Sequence, residues 1–295
     1  MASVTKLKQE MIFNGQLAGL LDAMKSIAAQ QFQALERLLQ SNPVLFEAIE
    51  TIAATFELSR ISHPFTKSEG PVGVIAITSD TGLVGGLNHQ VILRAIQEYR
   101  RQPGELMVVG ERGINYVREH GFSCRSFASA TDDQRRQRAE EVRTYALDRV
   151  LAGQLGALSI VYPRALSFAV QRIEVVHVLP CSAWLHTGEA PPIRSGPVLM
   201  ESSVSSVLEY LVWLWLGQTL VDVLGMSRLA EFSARSIHLD GSAQELRRRG
   251  KKLQLRYFKE RREVIDRNMR ELFSAKAIYG QHQDEGECLT NATAH

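Results

Sequence analysis

Apolar residues near the start of the chain recur at the spacing of a coiled-coil helix. From Leu17 onward, positions that are apolar or small, except for Gln31, recur at intervals of three and four residues: Leu17, Leu20, Met24, Ile27, Gln31, Ala34 and Leu38. This heptad pattern predicts a helix that packs one face against a partner helix. Upstream, Val4, Leu7 and Met11 keep the same rhythm in a shifted frame, with Asn14 and Ala18 next. Packing of this helix on its own domain is an equal alternative from the segment alone.

The other end of the chain predicts a longer helix. Residues 205–276 contain no proline, and Leu246, Leu253, Tyr257 and Val264 form an apolar stripe along them. A helix of that length reaches roughly 100 Å, more than a small domain can bury. We therefore predict that the two ends pair as a long antiparallel coiled coil, with a seam that contains Leu17, Leu20, Met24, Ile27, Leu253, Tyr257 and Val264.

Between the two ends, short apolar runs alternate with helical patterns. Four strands are predicted, at Val72–Ile77, Leu106–Val109, Ala157–Tyr162 and Val170–Leu179. Helical patterns follow the first two strands, and a further helix precedes the third strand with Ala139, Val142, Ala146 and Val150 on its buried face. This alternation predicts an inserted Rossmann-like α/β domain with a small, mostly parallel sheet.

The domain boundaries follow from these elements. We predict coiled-coil helices over residues 1–62, an α/β globular domain with its linkers over 63–200, a C-terminal coiled-coil helix over 201–276 and a disordered tail over 277–295. Ser41-Asn42-Pro43 predicts the start of a second N-terminal helix that ends near Leu58. His63-Pro64-Phe65 and Ser68-Glu69-Gly70 form the first predicted linker, and Cys181–Pro197 the return linker.

Composition adds limits to the function. The chain has 295 residues and a formal net charge of +2, too small a charge to indicate nucleic-acid binding by the whole chain. Its three cysteines lack a CxxC spacing, so no disulfide framework is predicted. No signal peptide is visible at the N-terminus. The most apolar segment, residues 207–224, is interrupted by Glu209, Gln218 and Asp222, so a buried helix is favoured over a transmembrane one.

The glycine-rich segment after the first strand is the main candidate for a phosphate site. Residues Asp80, Gly82, Gly85, Gly86 and Asn88 lie where a strand turns into a helix, and helix N-termini bind anions. The spacing matches neither GxGxxG nor a Walker A loop, so a structural turn is favoured. The eight histidines lack metal-ligand spacing. We predict no catalytic residue, no cofactor and no metal site; a nucleotide-dependent α/β enzyme with helical arms remains the alternative.

A basic run is the strongest electrostatic feature. Between Glu245 and Arg262, the long C-terminal helix carries nine basic residues against Glu245 and Glu260: Arg247, Arg248, Arg249, Lys251, Lys252, Arg256, Lys259, Arg261 and Arg262. Such a run can be a solvated face, a nucleic-acid or lipid surface, or a surface for an acidic protein. Taken alone, it favours the solvated face.

Several motifs resemble one family over residues 5–276. Asp80-Thr-Gly-Leu-Val-Gly-Gly-Leu-Asn88 is similar to the Asp-Arg-Gly-Leu-Cys-Gly-Gly-Leu-Asn motif of the gamma subunit of F-type ATP synthases. Leu253-Gln-Leu-Arg-Tyr-Phe-Lys-Glu-Arg261 aligns without gaps on that family's Leu-Gln-Leu-x-Tyr-Asn-Lys-x-Arg. Asp22-Ala-Met24, Ile27-Ala-Ala29 and His63-Pro64 also fit in order and spacing.

The resemblance implies a central rotor shaft without its own active site. Its expected partners are the alpha and beta subunits of the catalytic ring, the epsilon subunit and the c-ring, with no nucleic acid. The implied contacts with beta subunits are Arg256, Lys259, Arg261, Arg262, Ile265, Asp266 and Asn268. The implied location is the cytoplasmic face of the bacterial inner membrane, as a peripheral subunit.

The sequence departs from the family pattern at identifiable positions. Thr81 stands where the family has arginine. Arg262, Asp266, Arg267 and Asn268 replace the family's Gln, Thr, Gln and Glu. This divergence resembles the alternate F-type ATPases, some of which are proposed to move sodium instead of protons.

Overall fold

The computed structural model describes residues 2–39, 43–55, 61–67, 70–181 and 201–291. Side chains are described within these ranges except for residues 2, 3, 55, 275 and 277–291. The predicted helix cap at Ser41-Asn42, part of the first linker and nearly all of the return linker lie outside the described residues.

The elements follow the predicted order. The helices are α1 (Ala2–Leu38), α2 (Pro43–Thr55), α3 (Leu87–Arg101), α4 (Glu111–Glu119), α5 (Arg135–Leu151) and α6 (Val204–Asn291). The strands are β1 (Val72–Ile77), β2 (Pro103–Val109), β3 (Arg125–Phe127), β4 (Ala157–Ala165) and β5 (Gln171–Leu179). The three-residue strand β3 is absent from the prediction because so short a segment carries no readable alternation.

The five strands form one mixed sheet in the order β3-β2-β1-β4-β5. β2 and β4 both pair with β1 in parallel, β3 pairs with β2 in parallel, and β5 pairs with β4 antiparallel. The antiparallel pairing follows from the short connection between β4 and β5, where Leu166 N–H donates to Val170 O at 2.9 Å. A parallel return would need a longer crossover.

Helices cover both faces of the sheet. On one face, Ile75 and Ile160 share a core with the buried stripe of α5 and with Leu208, Val212 and Leu216 of α6. On the other face, Val74 and Val108 pack against α3 and α4. The strands are therefore apolar on both sides, as expected for a parallel sheet between helical layers.

The apolar segment at the start of α6 is part of this core. Leu208, Leu211, Val212, Leu216, Leu220 and Val223 are all at most 4% exposed. Among the described residues, α6 is the one helix long and apolar enough by length and composition to cross a membrane, and 56% of its most apolar window is buried within the protein. The burial confirms the predicted buried helix.

The chain divides into two compact units. The α/β unit contains residues 24–239 and includes the sheet, and the coiled-coil unit contains residues 1–23 and 240–295. In the coiled-coil unit, α1 and α6 pack together: Asn14 Nδ2 donates to Leu246 O at 2.6 Å, and Arg247 forms an ion pair with Asp22. Leu253 is buried and Tyr257 and Val264 are half-buried, which agrees with the predicted α6 side of the seam.

The predicted α1 side of the seam is in the wrong frame. Leu20 and Ile27 are 56% and 55% exposed, while Leu17 and Met24 are half-buried at the flank. The buried positions are Asn14, Ala18, Ala28, Phe32 and Leu35. They continue the frame of Val4, Leu7 and Met11 without a shift. The buried stripe contains small and polar residues, so hydrophobicity favoured the adjacent, more apolar stripe of Leu17, Leu20 and Ile27. Asn14 can be buried because its side chain donates a hydrogen bond to the Leu246 carbonyl.

The last helix also extends past its predicted end. α6 continues to Asn291, whereas the pattern predicts an end at Lys276 and a disordered tail over 277–295. The segment after Lys276 contains no proline, so no residue interrupts the backbone hydrogen bonds of the helix.

Candidate functional site

The β1–α3 loop, residues 78–86, is a tightly bonded structural turn. Asn88 is buried and bonds Ser79 twice: its Oδ1 accepts from Ser79 N–H at 3.1 Å and its Nδ2 donates to Ser79 Oγ at 2.8 Å. Gly85 has a φ of 60°, a conformation that glycine adopts without steric cost, and Gly86 precedes the first residue of α3. Leu83 also adopts the left-handed backbone conformation, with a φ of 65°.

Asp80 connects this loop to a second helix. Its Oδ1 accepts a hydrogen bond from Glu111 N–H at 2.8 Å, at the first turn of α4. Arg112 N–H donates to Ser79 O at 3.1 Å in the same turn. A carboxylate at this place satisfies a free N–H group and the positive end of the helix dipole. The protein's own side chain thus occupies the anion-binding end of α4.

A cavity of about 330 Å³ lies beside the loop within the α/β unit. It is lined by Val84, Gly85, Gly86, Leu87, Gln90, Gln171, Ala234, Ile237 and His238. No lysine or arginine is among these lining residues, so the cavity lacks the fixed cations that bind phosphate groups. The geometry favours the structural turn over the phosphate site at Gly82–Gly86.

Four side chains attach the loop to α6, and we call them the Glu231 joint: Thr81, Arg228, Glu231 and Arg235. Glu231 is 5% exposed. Its Oε2 pairs with Arg228 Nη1 at 2.8 Å, and its Oε1 pairs with Arg235 Nη2. Thr81 Oγ1 donates to Glu231 Oε1 at 3.1 Å and accepts from Arg235 Nη2. Sequence reasoning missed this cluster, although Arg228, Glu231 and Arg235 have the i,i+3 and i,i+4 spacings of helical ion pairs.

The described cysteines offer no reactive thiolate at neutral pH. Burial raises the pKa of the Cys181 thiol to about 12, and burial also raises the pKa of Cys124, opposed by the nearby Arg118 guanidinium. Among the side chains that the structure describes, no group of three or more His, Cys, Asp or Glu residues could hold a metal ion.

The C-terminal contact surface is the second candidate site, defined by the predicted beta-contact residues Arg256, Lys259, Arg261, Arg262, Ile265, Asp266 and Asn268. All seven side chains are exposed, and so is every residue from 265 to 274. Within the basic run, Arg247 is engaged with Asp22, and Lys259 Nζ lies 3.9 Å from Glu263 Oε1. Most of the positive charge on this surface therefore faces outward.

An exposed apolar stripe runs beside these charges, and sequence reasoning missed it. Leu255, Phe258, Ile265, Met269 and Leu272 are between 48% and 71% exposed. They recur at intervals of three and four residues, with Arg262 at the intervening position. Large apolar side chains aligned on an exposed helix face mark a protein contact surface. The heptad spacing was readable in the sequence and could have predicted this second stripe.

Comparisons with known proteins identify the family. A family profile described as ATP synthase matches residues 4–277. An ATP synthase gamma chain from Pelotomaculum thermopropionicum is 29% identical over 227 residues, which cover 75% of this chain and 79% of that protein. The chain belongs to the ATP synthase gamma family. A second gamma chain, from Clostridium kluyveri, is 27% identical over 257 residues, covering 85% of this chain and 89% of that protein.

Solved structures share this fold at low sequence identity. A chain from the Euglena gracilis mitochondrial ATP synthase, in a structure of its OSCP, F1 and c-ring, superposes with a TM-score of 0.68 at 14% identity and covers 94% of both chains. A rotor chain from the same organism gives a TM-score of 0.64 at 14% identity and covers 90% of this chain. Both confirm the predicted architecture of terminal coiled-coil helices around an inserted α/β domain.

Family membership decides between the two predicted functions. A gamma subunit is the central rotor stalk of ATP synthase and is not catalytic, since catalysis takes place on the beta subunits. The prediction of a rotor shaft is confirmed, and the alternative of a nucleotide-dependent enzyme is wrong. The gamma chain accordingly belongs to the peripheral F1 part of a membrane-associated complex.

Proposed function

We propose that this gamma chain acts on the catalytic beta subunits through its C-terminal contact surface, with Arg256, Lys259, Arg261, Arg262, Ile265, Asp266 and Asn268 as contact residues. One observation carries the proposal: beyond its seam with α1, α6 presents a basic face and an apolar stripe side by side, both exposed. A helix that needs no partner would not expose five large apolar side chains in heptad register.

The proposed mechanism is conformational coupling without chemistry on this chain. A shaft inside a ring of alternating alpha and beta subunits presents a different face to each beta subunit. Its rotation then favours a different conformation of each catalytic site in turn, because each face has different contacts to offer. The basic side chains match acidic segments of beta and set the orientation, while Ile265 supplies an apolar contact at their centre.

The proposal includes the remaining partners and the location. The epsilon subunit and the c-ring would bind the α/β unit, and the complex would lie on the cytoplasmic face of a bacterial inner membrane. The bacterial origin of the matching gamma chains supports this location. Three of the substituted positions, Arg262, Asp266 and Asn268, belong to the proposed contact surface, and Arg267 lies between them. We include in the proposal that the chain belongs to the alternate F-type class, some of whose members are proposed to move sodium.

A charge-removal experiment tests the contact surface. Arg256→Gln, Lys259→Gln and Arg262→Gln are combined in one variant, and binding of the chain to alpha and beta subunits is measured by sedimentation of the reconstituted complex. We expect about ten-fold weaker binding, because each exposed ion pair contributes about 0.5 kcal/mol. The difference from the unmodified chain should shrink as salt is raised, since these charges are exposed.

The matched control removes the same charge from the α/β unit. Arg118→Gln, Arg136→Gln and Arg172→Gln are likewise exposed in the free chain and are combined in a second variant. Its binding to alpha and beta should stay close to that of the unmodified chain. Equal loss in both triple variants would show that net charge, and not the contact surface, governs the binding.

A further inference from the structure

Among the described residues, the polar side-chain bonds between the β1–α3 loop and α6 all involve Glu231 or Arg235 of the helix. Thr81 bonds Glu231 and Arg235, and Arg235 Nε lies 3.5 Å from Gly82 O. A small apolar cluster adds to these bonds: Val84 of the loop and Leu87 of α3 pack on Ala234 of α6. The polar attachment of the loop to α6 therefore depends on Glu231, which also holds Arg235 in place.

Several independent contacts hold the side chains of the Glu231 joint in one arrangement. The buried Glu231 carboxylate accepts from two guanidinium groups and one hydroxyl. Arg228 and Arg235 also stack on the ring of buried Phe232, with their Cζ atoms 4.7 Å and 6.0 Å from its centre. Neither arginine can turn away from Glu231 without leaving that ring as well. Removal of the carboxylate leaves two partly buried cations without their counter-charge.

The loop that the joint holds contains a strained residue. Leu83 is a non-glycine residue at a φ of 65° and is 46% exposed. Side chains adopt this conformation at a cost unless the neighbouring structure imposes it. The Glu231 joint holds the chain just before Leu83, and the Val84–Ala234 contact holds it just after.

We propose that Glu231 is a positioning residue for energy coupling in the assembled ATP synthase: through Thr81 and Arg235 it makes the β1–α3 loop turn with α6 as one body. The proposal rests on the established rotor role and not on the C-terminal contact surface. The sheet and the first part of α6 share a core, so loss of the joint would leave the loop attached but let it shift locally against α6 under load. ATP hydrolysis would then continue with less ion transport per turn.

The test uses Glu231→Gln in the assembled, membrane-reconstituted complex. ATP hydrolysis and the membrane potential that it generates are measured together, with a potential-sensitive dye that responds to either coupling ion. We expect hydrolysis close to the unmodified rate and about two- to five-fold less ion transport per ATP, because a residue that couples two elements changes their coupling by this order. Glu231→Asp, which keeps the charge, should recover part of the transport.

Glu98→Gln is the matched control. Glu98 is also a buried helical glutamate, 4% exposed, with arginines at i,i−4 and i,i+3 at 2.7 Å and 2.9 Å, but it lies on α3 and has no recorded bond to the loop. Its transport per ATP should be unchanged. The proposal is overturned if Glu231→Gln and Glu98→Gln behave alike, or if Glu231→Gln only reduces the amount of complex. If Glu231→Gln does not assemble, Thr81→Val decides, and normal transport per ATP in that variant overturns the proposal.

Discussion

At the scale of single residues, Gly110 shows how close packing constrains the turn between β2 and α4. It has a φ of 100°, and a Cβ added to it would lie 2.3 Å from Thr78 O. Thr78 belongs to the β1–α3 loop, so the two turns fit together with no space for a side chain. Glycine is required here by its conformation and by the contact at once.

We expect Gly110→Ala to lower the free energy of unfolding of the isolated chain by about 3 kcal/mol or more, because backbone strain and the clash add. Gly121→Ala provides the control: Gly121 also has a positive φ, 77°, but a Cβ there would meet nothing within 4 Å. It should cost only about 1 kcal/mol, the strain alone. Urea denaturation measures both, and similar losses for the two variants would contradict the packing argument.

At the scale of elements, the register of α1 shows that hydrophobicity alone does not determine which residues of a helix are buried. Ile27 and Ala28 are neighbours in sequence, yet Ile27 is 55% exposed and Ala28 is 1% exposed. Hydrophobicity ranks them in the opposite order. The seam accepts alanine because a small side chain lets a partner helix come close, and this depends on the partner and not on the residue itself.

Substitution of these two neighbours tests the register. Ile27→Gln should change the free energy of unfolding of the isolated chain by less than about 0.5 kcal/mol, as for an exposed site. Ala28→Gln should cost about 2 kcal/mol, because a larger polar group must enter a closed space. Thermal unfolding followed by circular dichroism measures the difference. If Ile27→Gln lowered the free energy of unfolding more than Ala28→Gln, the seam frame predicted from hydrophobicity would be correct after all.

Features that follow from local spacing could be predicted from the sequence, and features that depend on contacts between distant residues could not. Strands such as Val72–Ile77 and the buried stripe of α5 could be predicted, because regular apolar spacing reports burial directly. The Glu231 joint could not, because Thr81 and Glu231 are 150 positions apart and nothing local indicates that they meet. The α1 register failed for a third reason: two neighbouring stripes share one heptad spacing, and the one that is buried contains Asn14 and Ala18.

At the scale of the whole molecule, the residues of α6 that stabilise the fold differ from those proposed to contact other subunits. Every described side chain from residue 265 to 274 is exposed, so these residues contribute little to the folding of the free chain. The seam with α1 involves residues such as Leu246 and Leu253 instead. The described end of the helix is therefore available for the contacts with beta subunits that we propose.

We expect removal of residues 265–295 to change the free energy of unfolding of the isolated chain by less than about 1 kcal/mol, because the described side chains from 265 to 274 are exposed. ATP-driven ion transport by the reconstituted complex should fall strongly, since Ile265, Asp266 and Asn268 are lost with the segment. Removal of β3 and α5 by deleting residues 125–151 is a contrasting variant that should prevent folding altogether. If the complex with the shortened chain transported ions at the full rate, the end of α6 would not be needed for coupling.

The strand order shows where the Glu231 joint lies relative to the sheet. In an open parallel sheet, the chain reverses its direction of winding between two central strands, here β1 and β4, and the crevice above their carboxyl ends is where such sheets bind nucleotides. The β1–α3 loop leaves β1 at that end, and Glu231 and Arg235 of the protein's own helix bind it there. The Glu231 joint therefore attaches the loop to α6 at the end of the sheet where open α/β sheets bind their ligands.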